Sequence, residues 1–221
     1  MRTVFEWNKQ IENAAVRAAR LGYCAHISYS NTKTVNTPSF STAPLITCGH
    51  CAQCYKKCYY ERLCERFPGV TMNAADNTLT AQEQPEIIEQ AVIDATRNAR
   101  FFRWYVGGDI PSYEFFDIMV NIARKRKTTR FLTFTKKPEL VNKWLENNGG
   151  KFPNNFIVVL SAWLEYQPVN PYNLPVAQFV PRGMNIPRGA RECSGNCGEC
   201  QDRRRGCWYL KNGQTVAFHE H

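Results

Sequence analysis

Four cysteines fall within eleven residues, Cys48, Cys51, Cys54 and Cys58, in the spacing C-x2-C-x2-C-x3-C. Thiols this dense in one short stretch either oxidise to disulfides or fold around a metal centre, and the compartment decides between the two. The first residues, Met1-Arg2-Thr3-Val4-Phe5-Glu6-Trp7, carry charges where a secretory signal has an apolar block. No apolar run approaches the roughly 18 residues that span a bilayer. The expectation is therefore a cytoplasmic chain without membrane contact, whose reduced thiols ligate metal.

The spacing narrows the kind of metal. One zinc ion usually takes two cysteine pairs separated by a longer spacer, whereas four thiolates in a ferredoxin-type run suit a 4Fe-4S cluster. In two-cluster ferredoxins the fourth cysteine of such a run serves the other cluster, so three ligands can hold this one and leave an iron open. A structural zinc, or mixed ligation with His50, is the plain alternative.

A second set, Cys193, Cys197, Cys200 and Cys207, reads C-x3-C-x2-C-x6-C in a Gly- and Arg-rich stretch. Four ligands make a closed site for zinc or for a second 4Fe-4S cluster. Its metal would staple a tail poor in apolar residues, since metal-binding free energy becomes folding free energy. Of the ten cysteines, Cys24 and Cys64 remain and read as small buried hydrophobes.

Between the two sets the pattern alternates. Ile11, Ala14, Ala15 and Ala18 make a helical stripe ending near Gly22, and Cys24 to Tyr29 is a strand candidate. Residues 30–47 read as a loop. Ile88, Ala91, Val92 and Ala95 form a helix behind Pro85; Phe101 to Val106 is a strand; Phe116, Met119, Val120 and Ala123 form the next helix. Phe131 to Thr135 is a strand, Pro138 opens a helix with Val141, Trp144 and Leu145, and Phe156 to Leu160 is an apolar strand. Val176 to Val180 and Thr215 to Phe218 are further strands. Such alternation predicts an α/β protein with a parallel sheet and helices outside it.

Chemistry in α/β folds gathers at the carboxyl ends of the strands. There Gly107 and Gly108 would let a ligand touch the backbone, and Asp109 offers a carboxylate to a cation. Lys136 ends the next strand and Ser161 the one after, on the same rim if the strands are parallel. Asp109 and Lys136 are the candidate catalytic groups; Gly107, Gly108, Asp109 and Ser161 are the candidate cofactor contacts. Arg103, on a core strand, is expensive to bury without a carboxylate or phosphate partner.

The order of strand, cysteine loop ending in Cys58-Tyr59, Gly-Gly-acid after the next strand, and a strand ending in serine resembles the radical S-adenosylmethionine core. More narrowly, Ser30 to Thr34, Pro38 to Ser41, Cys58-Tyr59, Gly108-Asp109, Thr135-Lys136 and the tail from Cys193 to His219 are similar to the phage gene product 88 family of radical-SAM-like proteins. The resemblance implies a partial (βα) barrel over residues 1–185, with a Cys-rich metal-binding segment, residues 186–221, packed on it. It also implies a 4Fe-4S cluster that chelates S-adenosylmethionine and cleaves it reductively to methionine and a 5'-deoxyadenosyl radical. The electron would come from a flavodoxin or ferredoxin. The Gly107-Gly108-Asp109 stretch would face the cofactor's amino group, Ser161 its ribose or carboxylate, and Lys136 the carboxylate or an anionic substrate. The chain departs from the pattern: C-x3-C-x2-C is absent from residues 48–58 and present at Cys193, Cys197 and Cys200, and Asp109 stands where a glutamate is usual.

Lys+Arg 28 against Asp+Glu 19 gives a net charge of +9, which favours an anionic partner such as a nucleotide or nucleic acid. The competing reading is a non-enzymatic nucleic-acid-binding protein held together by zinc or a cluster. It would use Arg124-Lys125-Arg126-Lys127 with Arg130, and Arg203-Arg204-Arg205.

Overall fold

A computed structural model describes residues 1–30, 35–48, 52–163 and 165–220, without the side chains of Ala52 and Gln53. Helix α1, Val4–Leu21, begins at a capping box: Thr3 Oγ1 accepts from the Glu6 N–H, and Glu6 Oε2 accepts from the Thr3 N–H at 2.7 Å. The predicted strand from Cys24 to Tyr29 does not form. Of these residues only Ser28 makes a bridge, to Ser39, because the segment is bonded instead to the side chains of a helix described below.

The chain then runs through β1 (Ser39–Phe40), the cysteine stretch with α2 (Ala52–Tyr55), α3 (Tyr59–Arg66), α4 (Pro68–Glu83) and α5 (Pro85–Ala95). Next come β2 (Phe101–Trp104), α6 (Tyr113–Lys125), β3 (Arg130–Thr135), α7 (Pro138–Asn147), β4 (Phe156–Ala162) and β5 (Val176–Val180). The tail carries β6 (Arg191–Glu192), α8 (Cys197–Asp202), a 3-10 turn (Gly206–Tyr209) and β7 (Thr215–His219).

The strands form one sheet of seven in the order β1-β2-β3-β4-β5-β7-β6, and every pairing is parallel. The α/β expectation is met. The sheet is open, however, with β1 and β6 as its edges among the described residues.

Alternation along the strands divides the core in two. Phe102, Trp104, Phe131, Phe156, Val158 and Leu160 face α5, α6 and α7, where Ile88, Val92, Phe116, Met119, Val141 and Trp144 complete an apolar cluster. The opposite face presents Phe101, Leu132, Ile157, Val159, Ala177 and Val216, and there the tail packs through Trp208 and Leu210. The helices of α5 to α7 therefore cover one face, while tail and cavity occupy the other. Helix α4 packs against α1 and α3 and holds the segment after β1, with Thr78 Oγ1 accepting from Ala43 N–H at 2.8 Å.

Candidate functional site

Beyond the carboxyl ends of β2 to β4 the chain builds a rim. After Trp104 the backbone turns left-handed at Tyr105, and again at Gly108, with φ 55° and 77°. A Cβ at Gly107 would fall 1.9 Å from the Tyr60 ring, and one at Gly108 2.1 Å from Thr42 Oγ1. The missing side chains make room for protein neighbours: Gly107 admits the Tyr60 ring, and Gly108 the Thr42 and Thr47 hydroxyls.

Asp109 is buried. Its Oδ1 accepts the Ile110 N–H at 2.8 Å and its Oδ2 the Lys136 N–H at 2.8 Å, so the carboxylate ties the end of β2 to the end of β3. Burial holds its pKa above the ordinary aspartate value, against the opposing pull of the Lys136 N–H, the Thr135 hydroxyl and the Ile110 N–H.

The first cysteine stretch lies over this rim, although Gly49, His50 and Cys51 fall outside the described residues. Cys58 stands at the start of α3. Burial pushes its thiol up to about 11; Cys54 and Cys48 add to the rise, and the backbone N–H groups of Glu61 and Tyr60 oppose it. Burial also acts to lower the pKa of Lys136, but Cys54, Asp109 and Cys48 outweigh it and raise the pKa; a hydrogen bond links the lysine to Cys54. An ammonium among thiols favours their ionised, metal-binding form.

Beside the rim opens a cavity of about 950 Å³, floored by the tail-facing side of the sheet. Its floor is aromatic. Trp163 and Phe179 stack with centroids 4.2 Å apart and 6° between planes. Three cations lie over such rings: Arg103 at 4.3 Å from Phe134, Lys136 at 5.7 Å from Trp163, and Lys57 at 5.7 Å from Phe179. Arg103 Nε donates to Trp104 O at 3.1 Å, and among the described residues no carboxylate pairs with its guanidinium. Ser161 and Tyr59 line the same cavity; the Tyr59 hydroxyl donates to Val106 O.

The tail supplies the far wall through Cys193, Cys197, Cys200 and Cys207. Burial pushes the Cys207 thiol up to about 12; Cys193 adds to this, Arg103 opposes it, and Cys197 and Cys200 add again. Gly195 N–H donates to Cys193 Sγ at 3.4 Å. The four partly buried thiols share this wall, with a backbone donor to one sulfur, although no three of their sulfurs stand within 4.8 Å of one another.

The structure brings Lys136, Ser161 and Cys48, Cys54 and Cys58 to one side of the sheet, and sets Asp109 behind them. Sequence reasoning named Tyr59 only as part of the Cys58-Tyr59 motif and missed Trp163 and Phe179, whose aromatic character alone does not separate a cavity floor from a core. Parts of the two basic runs meet the protein itself, with Lys125 at 2.6 Å from Glu89, Arg126 donating to Thr96 O, Arg130 4.4 Å over Tyr209 and Arg205 at 2.6 Å from Glu199, while Lys127 and Arg204 are exposed. Of the two cysteines left over, Cys64 is buried, as expected. Cys24 is not: it is exposed beside His26, because the segment lies along the outside of α4.

A family model described as Gene product 88 matches residues 6–168. The chain belongs to the phage Gene product 88 family. The match ends before β5 and the tail cysteines, so family membership speaks for β1 to β4, the rim and the first cysteine stretch of this Gene product 88 protein. No curated protein and no solved structure matches it. No described helix is long and apolar enough to cross a membrane.

Proposed function

We propose that this protein is an iron-sulfur enzyme that binds S-adenosylmethionine in the 950 Å³ cavity, cleaves it reductively and acts on an anionic substrate. The observation that supports this best is the meeting of Lys136 with Cys48 and Cys54 at the edge of an aromatic, cation-bordered cavity. Cys48, Cys54 and Cys58, with Cys51 from the same run, are the residues to hold the cluster. A bound 4Fe-4S cluster supplies one electron to the cofactor's sulfonium.

The protein's own groups do the rest. Lys136 balances thiolate charge next to the cysteine loop. Phe134, Trp163 and Phe179 give the cavity an apolar, aromatic floor against which a cofactor's adenine edge and sulfonium can pack. Arg103, lacking a carboxylate partner, is placed to pair with a carboxylate or phosphate. The tail, held by Cys193, Cys197, Cys200 and Cys207 around zinc or a second cluster, closes the cavity against water.

The test is anaerobic reconstitution followed by iron, sulfide and zinc counts per chain and assay of S-adenosylmethionine cleavage with dithionite. The expected protein is brown and bleaches on reduction. Cys58→Ala should lose one cluster and cleavage, while Cys200→Ala should lose stability and retain cleavage in its folded fraction. A colourless protein holding only zinc overturns the reading. Cleavage that survives Cys58→Ala and disappears in folded Cys200→Ala would exchange the two sites.

A further inference from the structure

Beside α4, Cys24, His26 and Asp76 bring a sulfur, a ring nitrogen and a carboxylate oxygen within 4.8 Å of one another. We propose that Cys24 Sγ, His26 Nε2 and Asp76 Oδ2 bind a divalent transition-metal ion of the zinc class, with a fourth position left to solvent.

The distances suit such an ion. Ligand atoms around a tetrahedral zinc at about 2.0–2.3 Å stand about 3.4–3.6 Å apart. Here Nε2 is 3.3 Å from the Cys24 sulfur and 3.1 Å from Asp76 Oδ2, so small outward movements admit the ion. The same nitrogen faces both partners. A nucleophilic triad would instead place the carboxylate on the other ring nitrogen. Thiolate, imidazole and carboxylate together are a zinc-type donor set.

The surroundings hold these groups in place. Arg17 Nε donates to Asp76 Oδ1 at 3.0 Å, which fixes the carboxylate and leaves Oδ2 turned to His26. Asn77 grips residue 26 twice, Oδ1 accepting its N–H at 2.7 Å and Nδ2 donating to its carbonyl at 3.0 Å. Thr80 Oγ1 donates to Cys24 O at 2.8 Å. The ligands therefore ride on backbone fastened to one helix, and a pocket of about 180 Å³ lies beside them. A bound ion would tie the segment between α1 and β1 to α4, at the border of the larger cavity that His26 also lines.

The test exploits the sequence. Tryptic cleavage after Arg20 and Lys33 releases a peptide in which Cys24 is the single cysteine, so its alkylation is read by mass apart from the other nine. Full-length protein is treated with N-ethylmaleimide with and without zinc. At zinc about ten times above Kd, mass action leaves about a tenth of the sites open, so Cys24 should be alkylated about tenfold more slowly. His26→Gln, a change at a third-exposed side chain, should abolish the protection, and Cys58→Ala should leave it intact. Equal rates with and without zinc would show a hydrogen-bonded cluster with no metal affinity and overturn the proposal. Protection that persists in His26→Gln would overturn it too, since zinc would then shield Cys24 from elsewhere.

Discussion

Gly107 receives the ring of Tyr60 so closely that a Cβ on the glycine would stand 1.9 Å from Tyr60 Cδ1 and 2.0 Å from Cγ. The contact joins the turn after β2 to the first residues of α3, directly after Cys58. Gly107→Ala should therefore push Tyr60 out of its packed position, costing about 1–3 kcal/mol as other overpacking substitutions do. Urea denaturation measures the loss, and iron content should fall with it because Cys58 moves with α3. An alanine variant as stable as the parent, with full iron, would mean that Tyr60 does not position the loop.

How far the sequence carries this molecule depends on what each element buries. The helices over β2 to β4 bury plain apolar stripes, Ile88 and Val92 in α5 and Phe116, Met119 and Val120 in α6, and their periodicity shows them directly. Helix α4 buries Ala74, Ala75, Asn77, Thr78 and Thr80. Small and polar residues bonded to loop backbone leave no apolar period to read. The order of Asp109, Lys136 and Ser161 along one rim follows from parallel strands and was legible. That Asp109 ties β2 to β3 was not, because its partners are backbone N–H groups. Cys24 and Asp76 lie 52 positions apart, and no spacing links them.

Asp109 makes a pH prediction. Burial raises its pKa above the ordinary 3.8, so between that value and its folded pKa the native state holds more proton than the unfolded chain. Its contribution to stability consequently falls as pH rises through that window, is flat above the folded pKa, and is regained on acidification. Asp109→Asn removes this slope. It also turns an amide NH2 toward Ile110 N–H or Lys136 N–H, leaving one buried donor without an acceptor at a cost of about 1–3 kcal/mol. Stability curves of parent and variant across mildly acidic pH check both; parallel curves would contradict the account.

Lys136 supports the first cysteine loop by charge and hydrogen bonding to Cys54. Groups that bond to metal ligands typically contribute about 10–100-fold in metal affinity, and Lys136→Met should weaken iron retention to that extent. Iron and sulfide counts after partial chelation read it. Arg103→Met is the comparison: it removes a cavity cation 4.3 Å from Phe134 that makes no hydrogen bond to Cys54, so the iron it loses on chelation should be less than that lost by Lys136→Met. If both variants lose iron equally, the effect comes from total cavity charge and not from the contact with Cys54.

Trp208 reports on the tail. It is 1% exposed, with its ring 5.0 Å from Phe101 on the sheet face that the tail covers. Between β6 and β7 the tail has little apolar hold besides Trp208, Leu210 and the partly buried Tyr209. Removing whatever its four cysteines bind should therefore release that stretch, while β7, with Val216 and Ala217 buried, keeps its place in the sheet. Chelation should then shift Trp208 emission to the red and expose it to iodide quenching. Comparison with Trp208→Phe separates this from the other four tryptophans. The same shift in that variant would show the change arising elsewhere. Trp208→Ala, which leaves a hole against Phe101, should cost about 3–5 kcal/mol, and the cavity it helps to wall should lose affinity for S-adenosylmethionine even where the first loop keeps its iron.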